Sequence, residues 1–126
     1  MKYALPLALA LATLAFHASA NAASDNIDAG REAFTRLCAS CHHVGPSARG
    51  AFGPQLNGLF GRRAGSTADY RYSDAMKASN VVWSDATLSA FVQSPGKLVP
   101  GTKMRFWGMS DPRQIEDLLA YLRTYQ

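Results

Sequence analysis

Between His42 and Ser73 the chain carries Gly45, Pro46, Gly50, Gly53, Pro54, Gly58, Gly61 and Gly65. Glycine and proline at this density break any long helix or strand. A stretch of about thirty residues with little regular structure is also too long for a passive connection in a compact domain. Something inside it must organise its backbone, and a large rigid ligand would do so.

The segments around it read as helices. Ile27 to Leu37 places Ile27, Phe34 and Leu37, with Gly30 and Ala33, on a roughly helical stripe, and Asp25 or Asn26 can cap it. Gly30 costs about 1 kcal/mol against Ala inside a helix, which suggests close packing of another helix. Tyr72 to Asn80 reads as a short helix with Ser73 as its cap. Ser84 to Gln93 reads as the next, with Ser84 as cap, Thr87 at the third position, and Leu88, Phe91 and Val92 facing inward. Pro95 and Gly96 stop it, and Lys97 to Gly108 reads as a second loop shaped by Pro100 and Gly101. Asp111 to Tyr125 is the last helix. Asp111 caps it, Pro112 takes its first position, and Ile115, Leu118, Leu119 and Leu122 form its apolar face. No internal repeat and no strand-rich segment occurs. The predicted fold class is all-α, with about four to five helices and long loops.

At 126 residues one domain is expected. Met1 and Lys2 precede an apolar run from Tyr3 to Phe16, and small residues lead into Ala20-Asn21-Ala22. These are the three parts of a secretory signal peptide. The run is too short to span a bilayer, which takes about 20 apolar residues, and no later segment is long and apolar enough. Residues 1–22 are therefore expected to be removed, leaving 23–126 as a soluble domain of 104 residues with no stable membrane insertion. Exported domains this small often add disulfides, a metal or a cofactor. Only Cys38 and Cys41 are available, and a bond between them closes too short a loop to staple a fold. Any staple is something both cysteines hold. Without the leader, 12 basic residues face 9 acidic ones. No Lys/Arg cluster is dense enough for a phosphate-binding stripe, which excludes nucleic acid as a partner. The mild positive charge suits acidic partner surfaces.

The segment Cys38-Ala39-Ser40-Cys41-His42 matches Cys-x-x-Cys-His, the attachment signal for c-type haem. Two intervening residues let one helical turn offer both sulfurs to the two vinyl groups of a porphyrin, and His42 follows at once to meet the iron. Three other readings compete. A thioredoxin-like pair needs a βαβ setting, and no such pattern is present. A zinc site needs two further ligands at sensible spacing, whereas His42 and His43 crowd against the cysteines. A plain local disulfide is the third. Haem is favoured over all three, and one covalently bound haem c is the expected cofactor.

Further motifs follow in order: Gly30-x-x-x-Phe34, Gly53-Pro54-x-Leu56-x-Gly58-Leu59-Phe60-Gly61-Arg62, Tyr72-Ser73, Trp83, Pro100-Gly101-Thr102-Lys103-Met104-x-Phe106 and Leu118-Leu119-Ala120-Tyr121-Leu122. With the Cys-x-x-Cys-His segment they resemble the class I cytochromes c, especially the bacterial c2 and mitochondrial-like group, from about Gly30 to Tyr121. The resemblance implies a small cytochrome c fold wrapped around the haem. It implies Met104 as the sixth ligand, although Met109 and Met76 are also present and a methionine is usually a core filler. It implies that the Pro54 carbonyl meets the far ring nitrogen of His42. It implies that Arg62, Tyr72 and Trp83 surround one haem propionate, that Thr102 bonds the other, and that Gly30, Phe34, Leu118 and Tyr121 form the crossing of the first and last helices. Three positions depart from the family pattern. Phe91 stands where relatives often carry a tyrosine, Met76 where an asparagine is frequent, and Leu37 where a front-face lysine is common.

The function expected from the resemblance is a diffusible one-electron carrier of the periplasm, a monomer and not an enzyme. Its partners are redox proteins docking at the exposed haem edge, guided by Lys77, Lys97 and Lys103. Two other classes fit the sequence less well: an electron-entry subunit of a larger redox complex, and a haem enzyme or gas binder with an open sixth position.

Overall fold

The computed structural model describes residues 26–126, in which helices α1 (26–37), α2 (Asp74–Ala78), α3 (Asp85–Gln93), α4 (Pro95–Leu98) and α5 (Pro112–Arg123) are joined by long loops. The predicted leader 1–22, its removal site and a cap at Asp25 lie outside the described residues. Asn26 is already helical, so it is not the cap.

The cost of Gly30 has a clear cause. A Cβ at Gly30 would run into the backbone carbonyl of Asp117 and lie 2.8 Å from the Cβ of Tyr121. Helices α1 and α5 therefore cross almost backbone to backbone. Phe34 and Tyr121 close the crossing, with ring centroids 5.5 Å apart. The apolar face of α5 is buried as its pattern requires, through Ile115, Leu118, Leu119 and Leu122, joined by Tyr121. Its start is set by Asp111, whose side chain accepts from the Arg113 amide at 2.9 Å, and by Pro112, which loses no helical hydrogen bond there.

Ser84 and Thr87 form a reciprocal capping box on α3: the Ser84 hydroxyl accepts from the Thr87 amide at 3.2 Å, and the Thr87 hydroxyl accepts from the Ser84 amide at 2.8 Å. Pro95 ends α3 as expected, but the chain does not then enter a loop. Pro95 occupies the first position of α4, so the same residue that stops one helix starts the next. The predicted loop from Lys97 thus begins only after Leu98. Helix α2 is shorter than predicted. Ser73 caps it at 3.0 Å, and Asn80, with φ at 57°, turns the chain away beyond it.

Residues 61–64 run antiparallel to 81–83. Gly61 N donates to Trp83 O at 2.7 Å, Trp83 N to Arg62 O at 3.0 Å, and Ala64 N to Val81 O at 2.8 Å. The last residues fold back on 58–60, with Gly58 N donating to Tyr125 O at 2.8 Å and the Gln126 amide pairing with the Phe60 backbone.

Two outcomes follow. Gly30→Ala gains about 1 kcal/mol of helix propensity but forces the two helices apart, so a net loss of about 3 kcal/mol or more is expected in denaturant unfolding. The second concerns Tyr121, whose hydroxyl lies 3.1 Å from that of Tyr125. Burial, then the Tyr125 bond, pushes its phenol from 10.0 up to about 12. The folded chain holds this proton more tightly than the unfolded chain. Its contribution is whole below about pH 10 and is lost as pH rises towards 12. Tyr121→Phe is expected to flatten the fall in stability over that window, measured by guanidinium unfolding at stepped pH.

Candidate functional site

Helix α1 ends on shared carbonyls. The amides of Cys38 and Ala39 both reach Phe34 O, at 2.8 and 3.0 Å, and those of Cys41 and His42 reach Cys38 O, at 3.0 and 2.9 Å. This turn directs Cys38, Cys41 and His42 into one cleft. Gly53 N donates to Cys41 O at 2.8 Å, drawing the next loop against the turn. His42 Nδ1 then lies 2.8 Å from Pro54 O and donates to it, the contact the resemblance implied. With the proton fixed on Nδ1, Nε2 keeps its lone pair for a metal. Burial lowers the His42 pKa and the neighbouring His43 lowers it further, while the Pro54 bond acts in the opposite sense. The imidazole is thus neutral at physiological pH, as a ligand must be.

The thiols point the same way. Burial, followed by the proximity of Cys41, pushes Cys38 up to about 11. A dithiol redox motif works through a thiol whose pKa is lowered, so this environment is the wrong one for it. Among the described residues no three His, Cys, Asp or Glu side chains gather into a metal-holding group.

The 99–109 loop also lines the cleft. Thr102 N donates to Val99 O at 3.0 Å, and the Thr102 hydroxyl accepts from the Met104 amide at 3.3 Å. Met104 is half-buried and lines the cleft. Met76 and Met109 line it too, but both are buried in the apolar core, with Met109 N held to Val92 O at 2.9 Å. Phe91 packs on Trp83 with centroids 5.1 Å apart and brings no hydroxyl to this wall.

Arg62 enters from a third side. Its guanidinium donates to Asn57 O at 2.7 Å and Gln55 O at 3.2 Å, and burial lowers its pKa, opposed by Tyr72 and Asp69. The Tyr72 hydroxyl shares a hydrogen bond with Thr67 at 2.6 Å. Trp83 is buried and held by the 61–64 pairing. All nine residues singled out from the sequence, namely Cys38, Cys41, His42, Pro54, Arg62, Tyr72, Trp83, Thr102 and Met104, line this one cleft.

Several residues that shape the site escaped the sequence reading. A Cβ on Gly53 would sit 2.6 Å from His42 Cε1 and 2.8 Å from Nδ1, so only glycine lets the loop seat the imidazole. Asn57 pairs with both backbone groups of Gly45, at 2.8 and 2.7 Å. The 67–72 segment straps the cleft walls together. The Asp69 carboxylate accepts from Gly50 N at 2.7 Å, the Tyr70 hydroxyl donates to Phe52 O at 3.3 Å, and Lys103 donates to Arg71 O while lying over the Tyr70 ring at 5.4 Å. Of the three lysines expected at a docking face, Lys103 is folded into this strap. Lys77 pairs with Asp74 at 2.8 Å, and Lys97 is exposed on α4.

No Asp or Glu lines the cleft, and its walls come from α1, α2, α3, α5 and the loops between them. Two sulfurs from one turn, a neutral imidazole with a free Nε2, a thioether in the same cleft, apolar sides and a few convergent donors together fit a covalently attached haem.

A family model described as "Cytochrome c" matches residues 27–126. The chain is 42% identical over 121 residues to cytochrome c2 of Rhodomicrobium vannielii, covering 96% of this chain and 95% of that one. It is 47% identical over 98 residues to cytochrome c of Cannabis sativa, covering 78% and 88%. Among solved structures it resembles cytochrome cH from Methylobacterium extorquens, with a TM-score of 0.71 and 44% identity, covering 77% of this chain and 96% of that one. The site and these likenesses agree: the chain belongs to the cytochrome c family, whose members are electron carriers and not enzymes, and adopts its small all-α fold.

Proposed function

We propose that the chain holds one haem c by thioethers at Cys38 and Cys41, with His42 and Met104 as axial ligands, and acts as an exported one-electron carrier. The observation that carries this reading is the 2.8 Å bond from His42 Nδ1 to Pro54 O, which aims Nε2 into the cleft that Cys38, Cys41 and Met104 also line. When bound, the haem supplies a one-electron iron couple.

The protein's part is positional and electrostatic. The Pro54 carbonyl and Gly53 hold the imidazole in one orientation. The Met104 thioether is a soft donor that favours reduced iron and raises the potential. Arg62, Tyr72 and Thr102 offer donors to the two propionates, with Trp83 beside them, because a carboxylate taken from water needs partners. Phe34, Leu59, Leu88 and Leu118 line the walls and keep water from the centre. His42 and Met104 together would hold the iron, and a group so held would serve electron transfer. Export through residues 1–22 places this carrier in the periplasm as a soluble monomer. Its redox partners meet the cleft mouth, attracted by Lys77, Lys97 and Lys103. The likeness to proteins named cytochrome c2 supports the carrier reading.

Absorption spectroscopy of the periplasmically expressed protein tests the reading. A sharp reduced α band and the weak red band of oxidised Fe–S(Met) are both expected, and the denatured holoprotein is expected to titrate no free thiol. Met104→Ala is expected to keep the α band and lose the red one. A red band persisting in Met104→Ala removes Met104 as ligand, and absence of haem from cells with a working c-haem maturation system removes the assignment altogether. Gly53→Ala displaces the His42 ring. It is expected to shift the midpoint potential and lower the thermal midpoint while leaving both thioethers intact, read by voltammetry and melting of the purified holoprotein.

A further inference from the structure

Arg62 is a half-buried cation that lines the cleft and has no ion pair among the described residues. Its guanidinium reaches back to its own loop, donating to Asn57 O at 2.7 Å and Gln55 O at 3.2 Å. A guanidinium carries more donors than these two bonds use, so some remain for an anion in the cleft. The aim of this charge is set by the carbonyls of residues 55 and 57, and their place is set by whatever holds the loop from 55 to 62.

The bends of that loop have no packing of their own. Gly58 and Gly61 turn it with φ of 58° and 80°, and a Cβ at either would meet no atom within 4 Å. Bonds from other segments hold it instead. Gly61 N donates to Trp83 O at 2.7 Å, Asn57 pairs with Gly45, and Gly58 N donates to Tyr125 O at 2.8 Å. Gln126 holds it twice: its side-chain amide accepts from Phe60 N at 3.2 Å and donates to Phe60 O at 2.8 Å. The Arg123 guanidinium lies 4.1 Å from the centroid of the Phe60 ring and pairs with Asp85 on α3. Phe60, two residues before Arg62, is thus gripped at ring and backbone from residues 123–126. None of those four residues lines the cleft.

We propose that Gln126 is a positioning residue for Arg62: by fixing the Phe60 backbone it fixes the loop that aims the guanidinium at an anionic group in the cleft, and so tunes the redox potential of the bound haem. This rests on the carrier reading above and adds a residue outside the cleft that acts on the couple. The effect is that of a charge at a distance. A cation held beside the haem disfavours the oxidised form, which carries one more positive charge, and a low-dielectric cleft strengthens the repulsion. A loop released at Phe60 lets the guanidinium move towards water, where salt screens it. The oxidised form then gains. Gln126 does not line the cleft, so its influence passes through the loop to Arg62.

The test is spectroelectrochemistry of the purified holoprotein, reading the ratio of reduced to oxidised protein at one fixed applied potential. Gln126→Ala is expected to lower that ratio about twofold, and Arg62→Gln about tenfold. In the double variant Gln126→Ala is expected to add nothing to Arg62→Gln. Arg62→Lys, which keeps the charge but cannot bridge two carbonyls, serves the same cycle where Arg62→Gln yields no holoprotein. A second readout does not depend on the couple: solvent exchange of the Arg62 guanidinium protons, followed by NMR of the reduced holoprotein, is expected to quicken in Gln126→Ala. An unchanged ratio in Gln126→Ala overturns the proposal, even where its melting temperature falls, because Gln126 then serves stability alone. An equal fall in the Arg62→Gln background overturns it too, as does a fallen ratio with unchanged Arg62 exchange. A wild type that takes up no haem overturns the carrier reading and this proposal together, whereas a haem-loaded wild type with a reversible couple indifferent to Gln126 overturns this proposal alone.

Discussion

The molecule depends on an apolar surface that the polypeptide alone does not close. Nine of the fourteen residues of its hydrophobic core (Phe34, Leu59, Met76, Trp83, Leu88, Phe91, Met109, Leu118 and Leu122) also line the cleft. Core and binding site are the same side chains seen from two directions. A group that fills the cleft therefore completes the core, and its binding free energy is also folding free energy. Among the described residues five helices, two of them of only five and four residues, carry these long loops.

The two walls are built differently. On the His42 side the backbone is held by backbone: the end of α1, the Gly53 amide on Cys41 O and the Pro54 carbonyl on the imidazole make one continuous run of short bonds. The Met104 side adds to its backbone bonds, Thr102 N to Val99 O and Met109 N to Val92 O, a threonine hydroxyl, a left-handed Gly101 at φ +89° and a lysine laid over a tyrosine ring.

What could be read from the sequence follows from how local each cause is. Ser84 with Thr87, and Asp111 with Pro112, act within one turn, and their helices begin where those residues stand. The Cys38-x-x-Cys41-His42 segment is equally local, and its residues meet in the cleft. Pro95 was read as a stop because proline ends a helix; its equal fitness to begin one shows only where the chain goes next. The roles implied for Pro54, Arg62 and Trp83 came through family likeness and not through spacing, because each partner lies on another segment. Gly53, Asp69 and Tyr70 went unread for the same reason. Their partners are His42, Gly50 and Phe52, and nothing in a glycine's neighbours announces an imidazole folded against it.

The strap formed by residues 67–72 has a consequence for how such a chain can change. Surface loops usually accept insertions, since little depends on their length. Here Asp69 meets Gly50, Tyr70 meets Phe52, and Lys103 meets both Tyr70 and the Arg71 carbonyl, so three segments share one register. One residue added to the strap would move its contacts with both of the other segments. The loops of this protein are irregular in shape yet fixed in length, and its freedom to diversify lies in the identities of exposed side chains.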